Sequence, residues 1–397
     1  MSSHHISHDL TELLTRGVAE VIHEEKLAEK LASGKTLRIK YGIDPTSPNL
    51  HVGRAAALLK LRTLQKLGHK VVFIVGDFTA MIGDTSDKEA ERPMLTKDEV
   101  QSNLKTYVRQ AGKLIDLDAA EIHYNHEWLG ELSFTDLCEQ TNQFSVADFI
   151  ARDNIARRLK KGSRVSLREV LYPVMQGYDS VQVHADVEIG GTDQRFNMLA
   201  GRTLQEHYGQ APQDIIMLDL LEGLDGRKMS SSWGNTINVE DEPNDMYGKV
   251  MSLRDELIVS YFIRATDVPL DEVREIERKL AEGENPRDAK HHLAQAMVTL
   301  YHGAERAKSA GEFFVQTFTQ GVIPTDIPEV SVTEGTPLID TLLLTGLVKS
   351  KTEWRTLVDG GAVEWMKEDV RVTDSAELAH SGTLRLGKKR FLRIKIS

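Results

Sequence analysis

Hydrophobic positions along the chain lay out a strand, a helix and a second strand early on. Leu37 to Ile43 has the short apolar run of a buried strand. After a Pro-containing loop, Val52, Ala55, Ala56, Leu59 and Leu67 keep helical spacing up to Gly68, a plausible cap. Val71 to Val75, VVFIV, is apolar on both faces, as a parallel strand covered on both sides must be. This order reads as a right-handed βαβ unit of a doubly wound sheet, in which ligands sit beyond the carboxyl ends of the strands. Upstream, Thr11 to Ala32 is predicted as one helix with Leu13, Leu14, Val18, Val21 and Ile22 along one side. Downstream, Thr96 to Ile150 reads as helical with short breaks, Asn125 to Trp128 among them. Val181–Val183 and Ile215–Leu221 read as further strands.

From Asp241 to Phe318 the pattern is helical and mixed in charge, with Asn285 and Pro286 placed as the cap and first residue of one helix. A stretch bearing Pro, Thr and Glu, residues 321–336, is the best domain boundary. Beyond it come two short helices over Pro337–Asp359, a turn at Gly360-Gly361, and a basic hairpin with Leu392, Ile394 and Ile396 alternating inward.

With 397 residues and 40% hydrophobic content, the chain has room for two or three domains with ordinary cores. No apolar run approaches the roughly 20 residues of a membrane span. The polar start, MSSHHISHDL, has no secretory core, and His4, His5 and His8 read as a frayed terminus rather than a metal site. A single cysteine, Cys138, excludes internal disulfides and cysteine-rich zinc sites and fits a reducing, cytoplasmic setting. The net charge of −11 argues against nonspecific coating of nucleic acid. Two local basic patches remain: Arg157, Arg158, Lys160, Lys161 and Arg164, then Arg385, Lys388, Lys389, Arg390, Arg393 and Lys395. Charge alone leaves two readings of each open, a solvated face or a nucleic-acid contact.

The chemistry concentrates in four stretches. In YGIDPTSPNLHVGR, residues 41–54, Pro45 and Pro48 stiffen the loop. His51 and Gly53 fall on a first helical turn, where unpaired N–H groups and the helix dipole favour an anion. After the second strand, GDFTAMIGDTSDKEAER supplies Asp77, Asp84, Lys88 and Arg92. Tyr172, Gln176 and Asp179, spaced four and three apart, share one helical face and form a polar wall. Gly190-Gly191 lets backbone approach a ligand, and Asp193 and Gln194 beside it suit ribose hydroxyls and an ammonium. In GRKMSSSWGN, residues 226–235, Lys228 is a compact cation able to follow phosphate oxygens and the serines add hydrogen bonds.

The first and last of these stretches together resemble the paired H-x-G-H and K-M-S-K-S signatures of class I aminoacyl-tRNA synthetases. YPVMQGYDS and IGGTDQRFN narrow the likeness to the tyrosyl-tRNA synthetases of the bacterial kind with a C-terminal S4-like domain. It runs from about Leu37 to Asn244, and more loosely to the end. The resemblance implies an α/β, Rossmann-like doubly wound sheet over residues 1–225, with a helical connective region at about 96–160. A loop and helical anticodon-region domain follow at 226–320, a linker at 321–336, and an α+β S4-like RNA-binding domain at 337–397.

It also implies activation of tyrosine by ATP with Mg²⁺, no structural metal, and transfer to the terminal adenosine of tRNA(Tyr) by a cytoplasmic homodimer with no membrane association. Asp44, Thr46, His51, Gly53, Arg54, Gly191, Asp193, Lys228, Ser231 and Ser232 are then expected to hold ATP, with His51, Arg54, Lys228 and Ser231 acting in catalysis. Tyr41, Asp84, Tyr172, Gln176, Asp179 and Gln194 are expected around tyrosine, and Lys88 and Arg92 near phosphates or the tRNA end. A buried acceptor for the phenol hydroxyl rejects phenylalanine without editing, a rule that tyrosyl-tRNA synthetases themselves exemplify.

The chain departs from the family pattern at four places. The second His of H-x-G-H is Arg54, and the second Lys of K-M-S-K-S is Ser231. A Tyr usual on the first strand is Lys40, which leaves open whether Tyr41 or Lys40 faces the pocket. In the C-terminal module Met366-Lys367 replaces the usual Asn-Gly turn. Three rivals stand beside the main reading: a tryptophanyl-type synthetase, a catalytically weakened RNA-binding paralogue, and a small-molecule nucleotidyltransferase.

Overall fold

The computed structural model describes residues 10–84, 94–319, 327–366, 370–387 and 390–397. Lys88, Arg92, Lys367, Lys388, Lys389 and the three N-terminal histidines lie outside the described residues. The chain divides into two compact units, Met1–Lys308 and Ser309–Ser397.

The first unit is built on a six-stranded sheet: β1 (Val18–Ile22), β2 (Arg38–Ile43), β3 (Lys70–Val75), β4 (Glu121–Tyr124), β5 (Val187–Gly191) and β6 (Asp214–Leu218). Their order is β1-β6-β5-β2-β3-β4. All neighbours are parallel except β1, which runs antiparallel along β6. Val71 to Val75 are all buried, as strands covered on both faces require.

The order of the strands reverses between β2 and β5. There β2 pairs with β3 from Arg38 to Ile43, but with β5 only at Ile39–Val187 and Lys40–Glu188. Beyond that register the two strands part, and a cleft opens at their carboxyl ends.

Five helices matter to that cleft: α1 (Val52–Lys66), α2 (Asp77–Ile82), α3 (Lys97–Ala111), α4 (Leu167–Gln182) and α5 (Arg195–His207). Helix α1 is anchored by Val52, Ala55, Leu58, Leu61 and Leu64, all at or near zero exposure. The buried stripe is therefore turned from the expected one, and Ala56, Leu59 and Leu67 are only half-buried. Helix α4 carries Pro173 in its interior, which leaves the Glu169 carbonyl without its usual helical donor. Arg152 fills the gap, its Nη2 lying 3.3 Å from that oxygen. At Gly177 an added Cβ would lie 3.0 Å from the backbone of Ala200 and Gly201, so α4 and α5 meet backbone to backbone.

Several expected elements differ. Thr11 to Ala32 is not one helix. Residues 10–15 are helical, Gly17 turns at φ 62°, β1 follows, and Glu24–Ala32 is a second helix. Val18, Val21 and Ile22 are β-branched and pair with β6, which decides between two periods that five residues cannot separate. Val181 and Val183 are the end of α4 and its cap rather than a strand, and the chain turns at His184 (φ 48°) into β5. The strand expected at Ile215–Leu221 is Asp214–Leu218. Within the segment read as helical, Glu121–Tyr124 is the edge strand β4, and the break after it contains the short helix His126–Leu129.

The second unit holds β7 (Glu329–Val332), β8 (Val363–Trp365), β9 (Val370–Arg371), β10 (Gly382–Leu386) and β11 (Arg390–Ile396), in the order β7-β11-β10-β8-β9. The helices Leu338–Leu344 and Lys351–Asp359 belong to the same unit, and its core is formed by Leu338, Leu342, Trp354, Trp365, Leu384, Leu392 and Ile394. Strands β10 and β11 form the expected hairpin, with Leu392 and Ile394 buried and Ile396 partly so.

Candidate active site

The parted ends of β2 and β5 enclose a cavity of about 210 Å³. It is lined from β2 and its loop by Tyr41, Asp44 and Thr46, and from the first turn of α1 by His51, Gly53 and Arg54. Helix α4 contributes Tyr172, Gln176 and Asp179, and the end of β5 contributes Gly191, Asp193 and Gln194. Asp84, Lys228, Ser231 and Ser232 complete the wall. Every sequence-expected site residue among those described therefore faces one cavity. Tyr41 lines it, whereas Lys40 turns to the other side of β2.

The inner end is a chain of buried hydrogen bonds. Asp179, 4% exposed, accepts from Trp128 Nε1 at 2.8 Å and from Asn125 Nδ2 at 3.3 Å. The same Asn125 amide donates to Thr79 Oγ1 at 3.0 Å, and Thr79 donates to Asp44 Oδ1 at 2.7 Å. Tyr172 Oη donates to the second Asp44 oxygen at 2.8 Å. Burial pushes the Asp179 carboxyl up to about 7 and Asp44 up to about 6, against the hydrogen bonds that favour their charged forms. Burial likewise raises Tyr172 well above the usual phenol range, so it remains a neutral donor.

Gly76 makes this packing possible. A Cβ there would stand 2.1 Å from Asp44 Oδ1 and 2.3 Å from Thr79 Oγ1.

Beneath this layer lies a buried ion pair. Lys40 Nζ is 2.9 Å from Glu188 Oε1, with neither side chain more than 2% exposed. Lys40 also donates to Ser180 Oγ at 2.7 Å and to the Gln176 carbonyl at 2.9 Å. The Gln176 amide bridges Glu188 (3.2 Å) and Asn197 (3.0 Å), and Asn197 reaches Gln194 at 2.9 Å. Gln194 donates to Asp84 Oδ2 at 2.8 Å.

The outer end is cationic. Arg54 Nη1 donates to the Asp44 carbonyl and to Tyr107 Oη, and Lys228 Nζ sits 2.9 Å from Asp193 Oδ2. Helix α1 points its first turn at the same region. The loop carrying Lys228 is tied at its base by Asn235, which accepts from Ser230 N at 2.8 Å and donates to Asp225 Oδ1 at 2.7 Å. Its neighbour strand of chain is strapped to the first loop: Val52 N donates to the Ile237 carbonyl and Val239 N to that of Leu50, each at 2.9 Å. Ser231 Oγ meets Ser47 Oγ at 3.2 Å.

The family model described as tRNA synthetases class I (W and Y) matches residues 4–319. The chain belongs to that family. Among curated proteins, the tyrosine–tRNA ligase of Thermotoga maritima is 44% identical over 387 residues, 96% of each chain, and that of Moorella thermoacetica is 44% identical over 96% of this chain and 94% of its own. Among solved structures, tyrosyl-tRNA synthetase from Archaeoglobus fulgidus complexed with L-tyrosine superposes with a TM-score of 0.61 at 23% identity, covering 77% of this chain and 99% of that one. At that identity the match speaks to the fold alone.

Within this class I synthetase some sequence expectations need correction. Arg158 is no part of a basic patch: it is 2% exposed and ion-paired with Glu169 at 2.5 Å. In the C-terminal run Arg385 pairs with Glu364, Arg390 with Glu353 (2.9 Å) and Lys395 with Glu329 (2.6 Å), so much of that charge is offset within the unit. Asp77 turns to His126 Nδ1 at 2.6 Å. The residues missed by sequence reading are Thr79, Asn125, Trp128, Glu188, Asn197 and Tyr107. A charge inside an apolar strand, Lys40 in β2 and Glu188 in β5, is the local signal that could have found the buried pair.

Proposed function

We propose that the protein is a tyrosine–tRNA ligase that activates tyrosine with MgATP and transfers it to tRNA(Tyr). One observation carries the assignment of the pocket. Asp179 is held by Trp128 and Asn125 at the closed inner end of a cavity whose open end is cationic. A phenol that reaches Asp179 donates its O–H to the carboxylate, and a substrate without that hydroxyl leaves the buried acceptor unpaired. An indole N–H is also a donor, but curated relatives at 42–44% identity over nearly the whole chain are tyrosine ligases. Tyr172, Gln176 and Asp84, with Gln194 behind them, receive the ammonium.

The tyrosine carboxylate attacks the α-phosphorus, pyrophosphate leaves, and the adenylate forms. A ribose hydroxyl of the terminal adenosine then attacks the activated carbonyl and AMP departs. The chain's contribution is positioning and charge stabilisation. His51, Arg54, the first turn of α1 and Lys228 face the triphosphate, with Thr46, Gly53, Ser231 and Ser232 around it. Mg²⁺ arrives with the nucleotide as part of the substrate. Lys228 exchanges Asp193 for phosphate oxygens, which frees Asp193, next to Gly191, for the ribose hydroxyls.

A second copy of the chain is the proposed partner for the segment between α3 and α4. Phe134 and Val146 there, and Leu167 at the start of α4, are 81%, 71% and 72% exposed and offer apolar side chains for such a contact. No described helix is long and apolar enough to cross a membrane, and the free, exposed Cys138 fits a reducing cytoplasm.

ATP–pyrophosphate exchange tests the reading with tyrosine, with tryptophan and with neither. Exchange with tyrosine alone is expected. Exchange with tryptophan, or with no amino acid, overturns it.

A further inference from the structure

The two signature departures, Arg54 and Ser231, are joined in space. Arg54 stands on the first turn of α1 and lines the cavity. Its Nη1 donates to the Asp44 carbonyl at 3.1 Å and to Tyr107 Oη at 2.9 Å. Tyr107 comes from α3, is 1% exposed, and its hydroxyl also lies 3.4 Å from the Asn49 carbonyl and from Ser47 Oγ. Ser47 in turn meets Ser231 at 3.2 Å. One chain of contacts thus runs from a packed helix, through the guanidinium's anchor, to the loop that carries Lys228.

Burial works against the Arg54 cation, yet its net shift is upward, with the Asp44 and Asp193 carboxyls among the groups that favour the charge. With Nη1 committed to protein oxygens, Nε and Nη2 are the donors left for an anion. A phenylalanine would fill the same space as Tyr107. What it would lack is the hydroxyl that accepts from Arg54, leaving the Asp44 carbonyl as the remaining partner of Nη1.

We propose that Tyr107 is a positioning residue for nucleotide activation: it holds Arg54 as a fixed cation on α1, in place of the cation that the closing loop lacks at Ser231. This deepens the tyrosine–tRNA ligase reading and rests on it. The role moves from a swinging loop to a rigid helix, where no side-chain ordering is needed at the moment of reaction.

The test is a double-mutant cycle read by single-turnover adenylate formation, which measures slow variants, together with KM for each substrate and thermal stability. Tyr107→Phe in the otherwise unchanged enzyme is expected to slow adenylate formation roughly tenfold, the worth of one hydrogen bond to a charged group, while KM for tyrosine stays put. In an Arg54→His/Ser231→Lys background, which returns the cation to the loop, Tyr107→Phe is expected to change the rate less than about twofold. Arg54→Ala serves as a second background with the same expectation. Equal slowing in all backgrounds, or no slowing in the unchanged enzyme, overturns the inference and makes Tyr107 a packing residue. An unchanged enzyme that forms no tyrosyl-adenylate overturns the underlying reading, and the inference with it.

Discussion

If Asp179 receives the phenol as proposed, tyrosine binding is pH-sensitive, with a sign that can be worked out in advance. Burial sets its carboxyl at about 7 in the free protein, and the hydrogen bonds from Trp128 and Asn125 pull the other way without cancelling it. If only the ionised form accepts the phenol O–H, the apparent dissociation constant for tyrosine scales as 1 + 10^(pKa − pH). Between pH 8 and pH 6 that factor rises from about 1.1 to about 11, a tenfold weakening worth about 1.4 kcal/mol. Asp44, at about 6, adds at most a further factor of about two over the same range.

Stability responds in the opposite direction. A carboxyl whose folded pKa lies above its unfolded value binds more protons folded than unfolded. Its stabilising contribution is complete below about pH 4 and is lost as pH rises through about 7. The assay is equilibrium dialysis of labelled tyrosine from pH 5.5 to 8.5, with Asp179→Asn as the comparison. The expected result is a tenfold loss of affinity from pH 8 to 6 in the unchanged enzyme and a weak, flat profile in the variant. A flat profile in the unchanged enzyme refutes the reasoning about burial. A surviving slope of up to about twofold in Asp179→Asn belongs to Asp44, and a steeper one refutes the assignment to Asp179.

Three further outcomes follow from the geometry. Gly76→Ala brings a Cβ within 2.1 Å of Asp44 Oδ1, so Asp44 and Thr79 must separate; KM for tyrosine or ATP is expected to rise tenfold or more with the fold retained by circular dichroism. Lys40→Met leaves Glu188 buried without its cation, and denaturant titration is expected to show a loss of about 3–5 kcal/mol, much of it regained in Lys40→Met/Glu188→Gln. Phe134→Asp places a charge on the most exposed large apolar side chain among the described residues, and sedimentation is expected to shift the proposed dimer towards monomer as activity falls.

What the sequence disclosed and what it concealed divide along a physical line. Tyr172, Gln176 and Asp179 were legible because helical period puts residues three and four apart on one face, and α4 does hold all three against the cavity. His51 and Lys228 were legible because each sits in a recurrent local pattern. Asn125 and Trp128 were not. They meet Asp179 across 54 and 51 residues of chain, and nothing periodic around them marks the encounter. Sequence reading saw only a break in a helical stretch, whereas β4 ends there and delivers both side chains to the pocket floor. β1 was concealed for another reason: five residues rich in Val and Ile satisfy either period, and only pairing with β6 decides.

On the proposed reading, the two ends of the cavity also differ in rigidity according to their roles. Its inner end is assembled from β2, α2, α4 and the turn after β4, and its carboxylates are fixed by partners on three elements. Selectivity for a hydroxyl demands that, since a floppy acceptor finds water instead. Its outer end rests on a loop tied mainly to itself, through Asn235 to Ser230 and Asp225 and through Arg227 stacked over Trp233. On the proposed reading, such a loop can carry Lys228 from Asp193 to a phosphate while keeping its own bonds. The proposed roles of Arg54, fixed on α1, and Lys228, delivered by the loop, would let a chain of net charge −11 handle a polyanionic substrate with few cations.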